Sequence, residues 1–213
     1  MRIAAAILLL CAAKAEVIDR VAVSFGHEVV TLGAIRRQLR MNAYLRGSPP
    51  EDTPEARREA AERLIDQTLV KREMNLSRYT PVPMEEVRRK VESYREKLGL
   101  TPEQFAAELD RYGFTPDEFL AELYWQSTLL QFVQFRFSPS VQVSEEEIQE
   151  YYEKEYVPRL EQMAPGQTPP PLAEVRERVA GIVASQKENV VLAQWLQQAR
   201  QQARIRYHEE AFQ

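Results

Sequence analysis

Residues 99–123 read GLTPEQFAAELDRYGFTPDEFLAEL. One motif stands there twice, fourteen residues apart: Gly99 returns as Gly113, Thr101 as Thr115, Phe105 as Phe119 and Leu109 as Leu123. Each copy is a helix start. Thr101 and Thr115 are N-caps, whose hydroxyls accept from backbone N–H groups that a first helical turn leaves unpaired. Pro102 and Pro116 take the first helical position, where a missing N–H costs nothing. Gln104 and Glu118 complete a capping box. Gly99 and Gly113 suit the left-handed residue that closes the preceding helix. The pattern predicts a helix end, a short helix, a sharp turn and a longer helix. The longer helix opens onto the run from Phe119 to Phe137, with apolar residues in almost every direction around its axis. Such a helix is buried on all sides or offers one side to something else. For Phe105 and Phe119 packing into a core is the plain reading, since periodic aromatics normally point inward.

Upstream, Met84 to Leu98 is a further helix, with Val87, Val91, Tyr94 and Leu98 in line. Before it, Thr53-Pro54-Glu55 opens a helix in the same style. It runs to about Leu76, with Ala60, Ala61, Leu64, Ile65, Leu69 and Leu76 on one face. Thr31 caps another helix that ends near Gly47. Val21, Val23 and Phe25 alternate, and Gly26-His27 turns into Glu28–Thr31, which gives a small hairpin. Downstream, Ser144 caps a helix with Glu147 as its box partner; the acidic run Glu145–Glu147 suits the helix dipole better than a metal. Pro158 to Pro171 reads as a proline-rich loop. Leu172 to Arg204 is a long amphipathic helix whose apolar positions include Val175, Val179, Val183, Val190 and Trp195. Ile205–Tyr207 is a strand candidate able to pair with the N-terminal hairpin. The expected fold is mainly α, with many helices and a short sheet joining the two ends of the chain.

The N-terminus reads as a secretory signal peptide. Arg2 is followed by eleven apolar or small residues, Ile3 to Ala13, too short a run to span a bilayer. Ala13-Lys14-Ala15 is a small-x-small cleavage pattern, placing the cut after Ala15. Acylation of Cys11 is the alternative, and Leu10 stands where such sites want a small residue. Cleavage removes Arg2, Lys14 and the one cysteine, which takes the formal net charge from −4 to −6. No second long apolar run follows, so stable membrane insertion is not expected. The acidic balance speaks against nucleic acid.

No catalytic set emerges. After cleavage there is no cysteine, and the two histidines, His27 and His208, lie at opposite ends of the sequence. Nucleophile–histidine arrangements, phosphate-binding glycine loops and zinc spacings find little to draw on. No catalytic residue, cofactor or metal is expected.

The order of segments carries a resemblance. VIDRVAVSFGHEVV, the tandem capped helices, VSEEEIQEYY and the closing ARIRY resemble the chaperone core of the SurA family of periplasmic chaperones, related to the PrsA-type foldases. It covers Val17 to Tyr207. In that family one or two parvulin prolyl-isomerase domains normally sit between the acidic helix and the terminal helix. Here about fifteen residues stand in their place, far below the size of a domain. The resemblance therefore implies a signal peptide (1–15), a helical core (16–157), a proline-rich linker in place of the isomerase (158–171) and a terminal helix and strand completing the core (172–213). It implies a periplasmic, ATP-independent holdase without isomerase activity. Its partners would be unfolded polypeptides, outer-membrane proteins among them, with a homodimer left open. Phe105, Tyr112, Phe114, Phe119, Tyr124, Trp125, Phe132 and Phe135 are the candidate peptide contacts, each with core packing as its competing role. Met84 and Met163 read as adaptable gap-fillers. Two other classes stay open: an adaptor that binds one folded partner or a second copy, and a prolyl isomerase by family membership alone.

Overall fold

The computed structural model describes residues 19–77 and 79–213; the expected signal peptide, with Cys11 and Ala15, lies outside them. The chain is mainly helical with a small antiparallel sheet. Its elements are β1 (Val21–Phe25), β2 (Glu28–Thr31), α1 (Leu32–Arg46), α2 (Pro54–Leu76), α3 (Met84–Lys97), α4 (Pro102–Asp110), α5 (Pro116–Phe137), α6 (Glu145–Tyr151), α7 (Val157–Met163), α8 (Leu172–Ala203) and β3 (Arg206–Tyr207).

The tandem motif forms as its chemistry dictates. Thr115 Oγ1 accepts from the Glu118 N–H at 3.2 Å, and the Glu118 carboxylate accepts from the Thr115 N–H at 2.9 Å. Thr101 and Gln104 repeat this at the start of α4, at 3.2 and 2.9 Å. Gly113, at φ 72°, makes the left-handed turn between α4 and α5.

The sheet runs β2-β1-β3, with Val23 opposite both Val30 and Tyr207. The hairpin near the start of the described residues and the strand near their end therefore meet, as the strand candidate implied. They share a core: Val23, Phe25 and Val30 pack with Ile35, Leu39, Ala60, Ala61 and Ile65, and the C-terminal Ala211 and Phe212 close it. A second core gathers Met41, Tyr44, Phe105, Leu109, Phe114 and Phe119. A third joins Val70, Met74 and Phe132, with Trp195 beside them. The fourth holds Ile148, Val175, Val179 and Val183, so α6 and the first half of α8 form a helical arm with its own apolar seam. The 32 residues of α8 span about 48 Å and run from that arm to the sheet.

Three expectations are corrected. The proline-rich loop begins at Ala164, because the helix that starts at Glu145 carries on to Met163. A wide π-helical turn at Tyr152–Tyr156 precedes Pro158, where the i→i−4 ladder is already broken and the ring and missing N–H of proline are tolerated. Leu76 is 73% exposed although it shares the phase of Ile65 and Leu69, for it stands in the last turn of α2. Val190 is exposed as well, since α8 turns Leu192, Trp195 and Leu196 inward there.

Candidate binding surface

The eight aromatic candidates divide by depth. Phe105, Phe114, Phe119 and Phe132 are core residues, none more than 3% exposed. Phe119 meets Phe105 and Tyr44 edge-on at 5.6 and 5.4 Å, which locks α1, α4 and α5 together. These four build walls and have no surface to offer a ligand. Tyr112 is half-buried against Tyr44 at 5.3 Å. Tyr124 and Trp125 are half-buried too, and the Lys71 ammonium sits 5.4 Å above the indole of Trp125. Phe135 is open to solvent; its ring leans on Tyr79, which in turn stands edge-on to the buried Phe132. Met84 and Met163 are exposed and fill no gap in a core.

The structure brings Tyr124 and Phe135 onto one face with residues that the aromatic pattern did not single out. From Leu123 to Phe135 the chain reads LYWQSTLLQFVQF, thirteen residues without a charge. Tyr124, Ser127, Leu130, Gln131, Gln134 and Phe135 fall within an arc of about 140° on α5. None of the six is buried, and Leu130 and Phe135 are each 61% exposed. Apolar area thus alternates with amides that both donate and accept. The signal for this face was the absence of charge, which is as visible in a sequence as an aromatic.

Around the first half of α5, the surface folds into a cleft of about 730 Å³ between α1, α2 and α5. Its α1 wall carries Arg36, Arg37 and Arg40; its α5 wall carries Glu118, Glu122 and Trp125. Arg37 reaches Glu118 at 3.5 Å, and Arg36 reaches Asp52 at 3.0 Å. The Thr115 N–H holds the Glu118 carboxyl below the usual carboxylate range, against the opposing effect of burial and with help from Arg37, the Thr115 hydroxyl and Arg40. A smaller groove of about 420 Å³ lies between α2 and α8, lined by Leu69, Leu76, Trp195 and Ala199.

The sheet holds one pairing that sequence distance concealed. His208 Nε2 lies 3.1 Å from Ser24 Oγ on the exposed face of the β1–β3 pair. Among the described residues no carboxylate is bonded to the other ring nitrogen, so the contact joins two strands without the orienting acid of a triad. Among the described residues, no three of His, Cys, Asp and Glu gather where they could hold a metal ion. No described helix is long and apolar enough to cross a membrane.

No protein-family model matches the chain, and no curated protein matches it.

Proposed function

We propose that the protein binds extended, non-native polypeptide and holds it without nucleotide hydrolysis, as a holdase exported from the cytoplasm. The observation that carries this reading is the charge-free face of α5, with Leu130 and Phe135 both largely exposed. A folded protein normally spends such apolar area on its own core, so area left outside calls for a partner. A face with a few aromatics, a few amides and no fixed charge makes few demands on sequence, which suits a tolerant binder. Each aromatic or aliphatic side chain that a client buries there contributes about 1.5–3 kcal/mol. Ordering an unfolded segment cancels much of that sum. Two or three anchors supply about 3–9 kcal/mol before that cost, which leaves an affinity weaker than micromolar and lets a client go unaided. Unfolded β-barrel segments, in which apolar and polar residues alternate, fit the surface well.

The test is site-specific crosslinking. A photoreactive side chain at position 135 or 130 should capture a urea-unfolded barrel protein on dilution. The same group at Glu85, on the exposed start of α3, should not. Equal capture at all three positions would contradict a defined face. Capture of one folded partner in fixed stoichiometry, and of no unfolded chain, would turn the reading toward an adaptor.

A further inference from the structure

The α1–α2–α5 cleft contains a cation that makes no direct ion pair among the described residues, although Glu118 lies near enough to feel its charge. Arg36 and Arg37 each have a carboxylate partner, whereas Arg40 has none among the described residues. Its Nε is buried without a hydrogen-bond partner. The guanidinium is held over the Phe114 ring at 5.8 Å, and Nε lies against Gly113, where a Cβ would stand 3.4 Å away. Position 113 thus makes two fits at once: a left-handed turn and room for Arg40. A half-buried guanidinium fixed by an aromatic face below and backbone beside it loses little entropy when its remaining N–H groups meet a ligand. An arginine in that state is a ready partner for a planar carboxylate, which takes two parallel N–H donors. Beside it in the cleft, Met41, Leu64 and Trp125 supply apolar surface.

We infer that this cleft receives an acidic side chain of an extended polypeptide, Asp or Glu adjacent to an aromatic residue, with the carboxylate on Arg40 and the aromatic ring against Trp125. This rests on the polypeptide-binding reading above and adds to it a preference among clients. Glu118 and Glu122 on the opposite wall limit the affinity, since both repel the incoming carboxylate. The same repulsion gives a second handle. Glu118 is a capping-box residue, and its counterpart in the first copy of the motif is Gln104, so Glu118→Gln removes the charge while keeping the cap.

The experiment compares two labelled peptides by fluorescence anisotropy at low salt: an aromatic-rich peptide with Glu beside each aromatic, and its Gln counterpart. The full chain should prefer the Glu peptide by about three- to fivefold. Arg40→Met keeps an aliphatic stem over Phe114 and should bring the ratio to about one. Arg37→Met, which removes a cation already paired, should leave the preference in place. Glu118→Gln should raise it. Equal binding of both peptides by the unaltered chain, or a preference that survives Arg40→Met, overturns this inference and leaves the polypeptide-binding reading standing. Binding of neither peptide overturns both.

Discussion

Arg200 is the residue whose loss most directly tests how the two ends of the chain are held. From the last turns of α8 its Nε donates to Asp66 at 2.6 Å, its Nη1 to the Glu62 carboxylate at 2.5 Å and its Nη2 to the Glu62 carbonyl at 2.9 Å. The Tyr207 hydroxyl of β3 donates to the other Glu62 oxygen at 2.6 Å. The side chains of Arg200, Glu62 and Asp66 are 27%, 36% and 34% exposed. A fully exposed pair would contribute less than about 1 kcal/mol, and breaking a fully buried one costs about 3–5 kcal/mol. One-third exposure, three donors and a retained Tyr207 bond place Arg200→Leu between these limits, at about 2 kcal/mol. For a chain of this length that lowers Tm by about 4–8 °C. Acidity should act through the same network. Burial raises the Glu62 carboxyl, but the bonds from Tyr207 and Arg200 outweigh it and hold the group below its ordinary value. Its contribution is therefore present above the ordinary carboxylate pKa and lost as pH falls through the depressed folded value. Tyr207, which burial and then Glu62 push up to about 12, contributes stability below pH ~10 that is lost as pH rises toward that value. Thermal melts by circular dichroism across pH 3–11 should show both flanks in the native chain and a shallower acid flank in Arg200→Leu. An unchanged Tm at pH 7, or identical acid flanks, would refute the clamp.

Two further substitutions separate wall from surface. Phe132→Ala empties a fully buried site between α2, α5 and α8 and should cost about 3–5 kcal/mol; Phe135→Ser, one turn on and exposed, should change the unfolding free energy by no more than about 0.5 kcal/mol. A large loss for Phe135→Ser would move that residue into the core. Thr115→Ala removes the cap of α5 and should cost about 1 kcal/mol in urea unfolding with no change in the m-value.

The capped starts were open to reading because they are local: threonine, proline and a Glu or Gln three residues on need no tertiary partner to form. The meeting of Ile205–Tyr207 with the hairpin followed from two short β patterns and a mainly helical remainder. The depth of each aromatic was another matter. Along α5 the buried side rotates, since Phe119 faces α1 and α4, Phe132 faces α2, and Phe137 meets Trp195 of α8. Residues 119 and 137 share a helical phase, while 132 lies about 140° around the axis from them. No single hydrophobic face exists for a periodicity argument to find, so aromatic candidates fell on walls and surface alike. The π-helical turn before Pro158 was hidden for a similar reason: proline is a breaker in an α-helical ladder, and only the arm's packing of Tyr151, Tyr152 and Tyr156 against α8 supports the wider turn. Arg40 was unreadable because being unpaired is a property of its neighbours in space.

The central claim is that the charge-free face of α5 holds unfolded polypeptide. The measurement that tests it most directly follows light scattering as a urea-unfolded outer-membrane barrel protein is diluted into buffer with the chain from Glu16 to Gln213. The native chain should suppress aggregation at a few-fold excess. Leu130→Glu/Phe135→Glu, which places two charges on that face, should lose suppression while keeping its helicity and Tm. Full suppression by the double variant, or none by the native chain at any excess, would contradict the account.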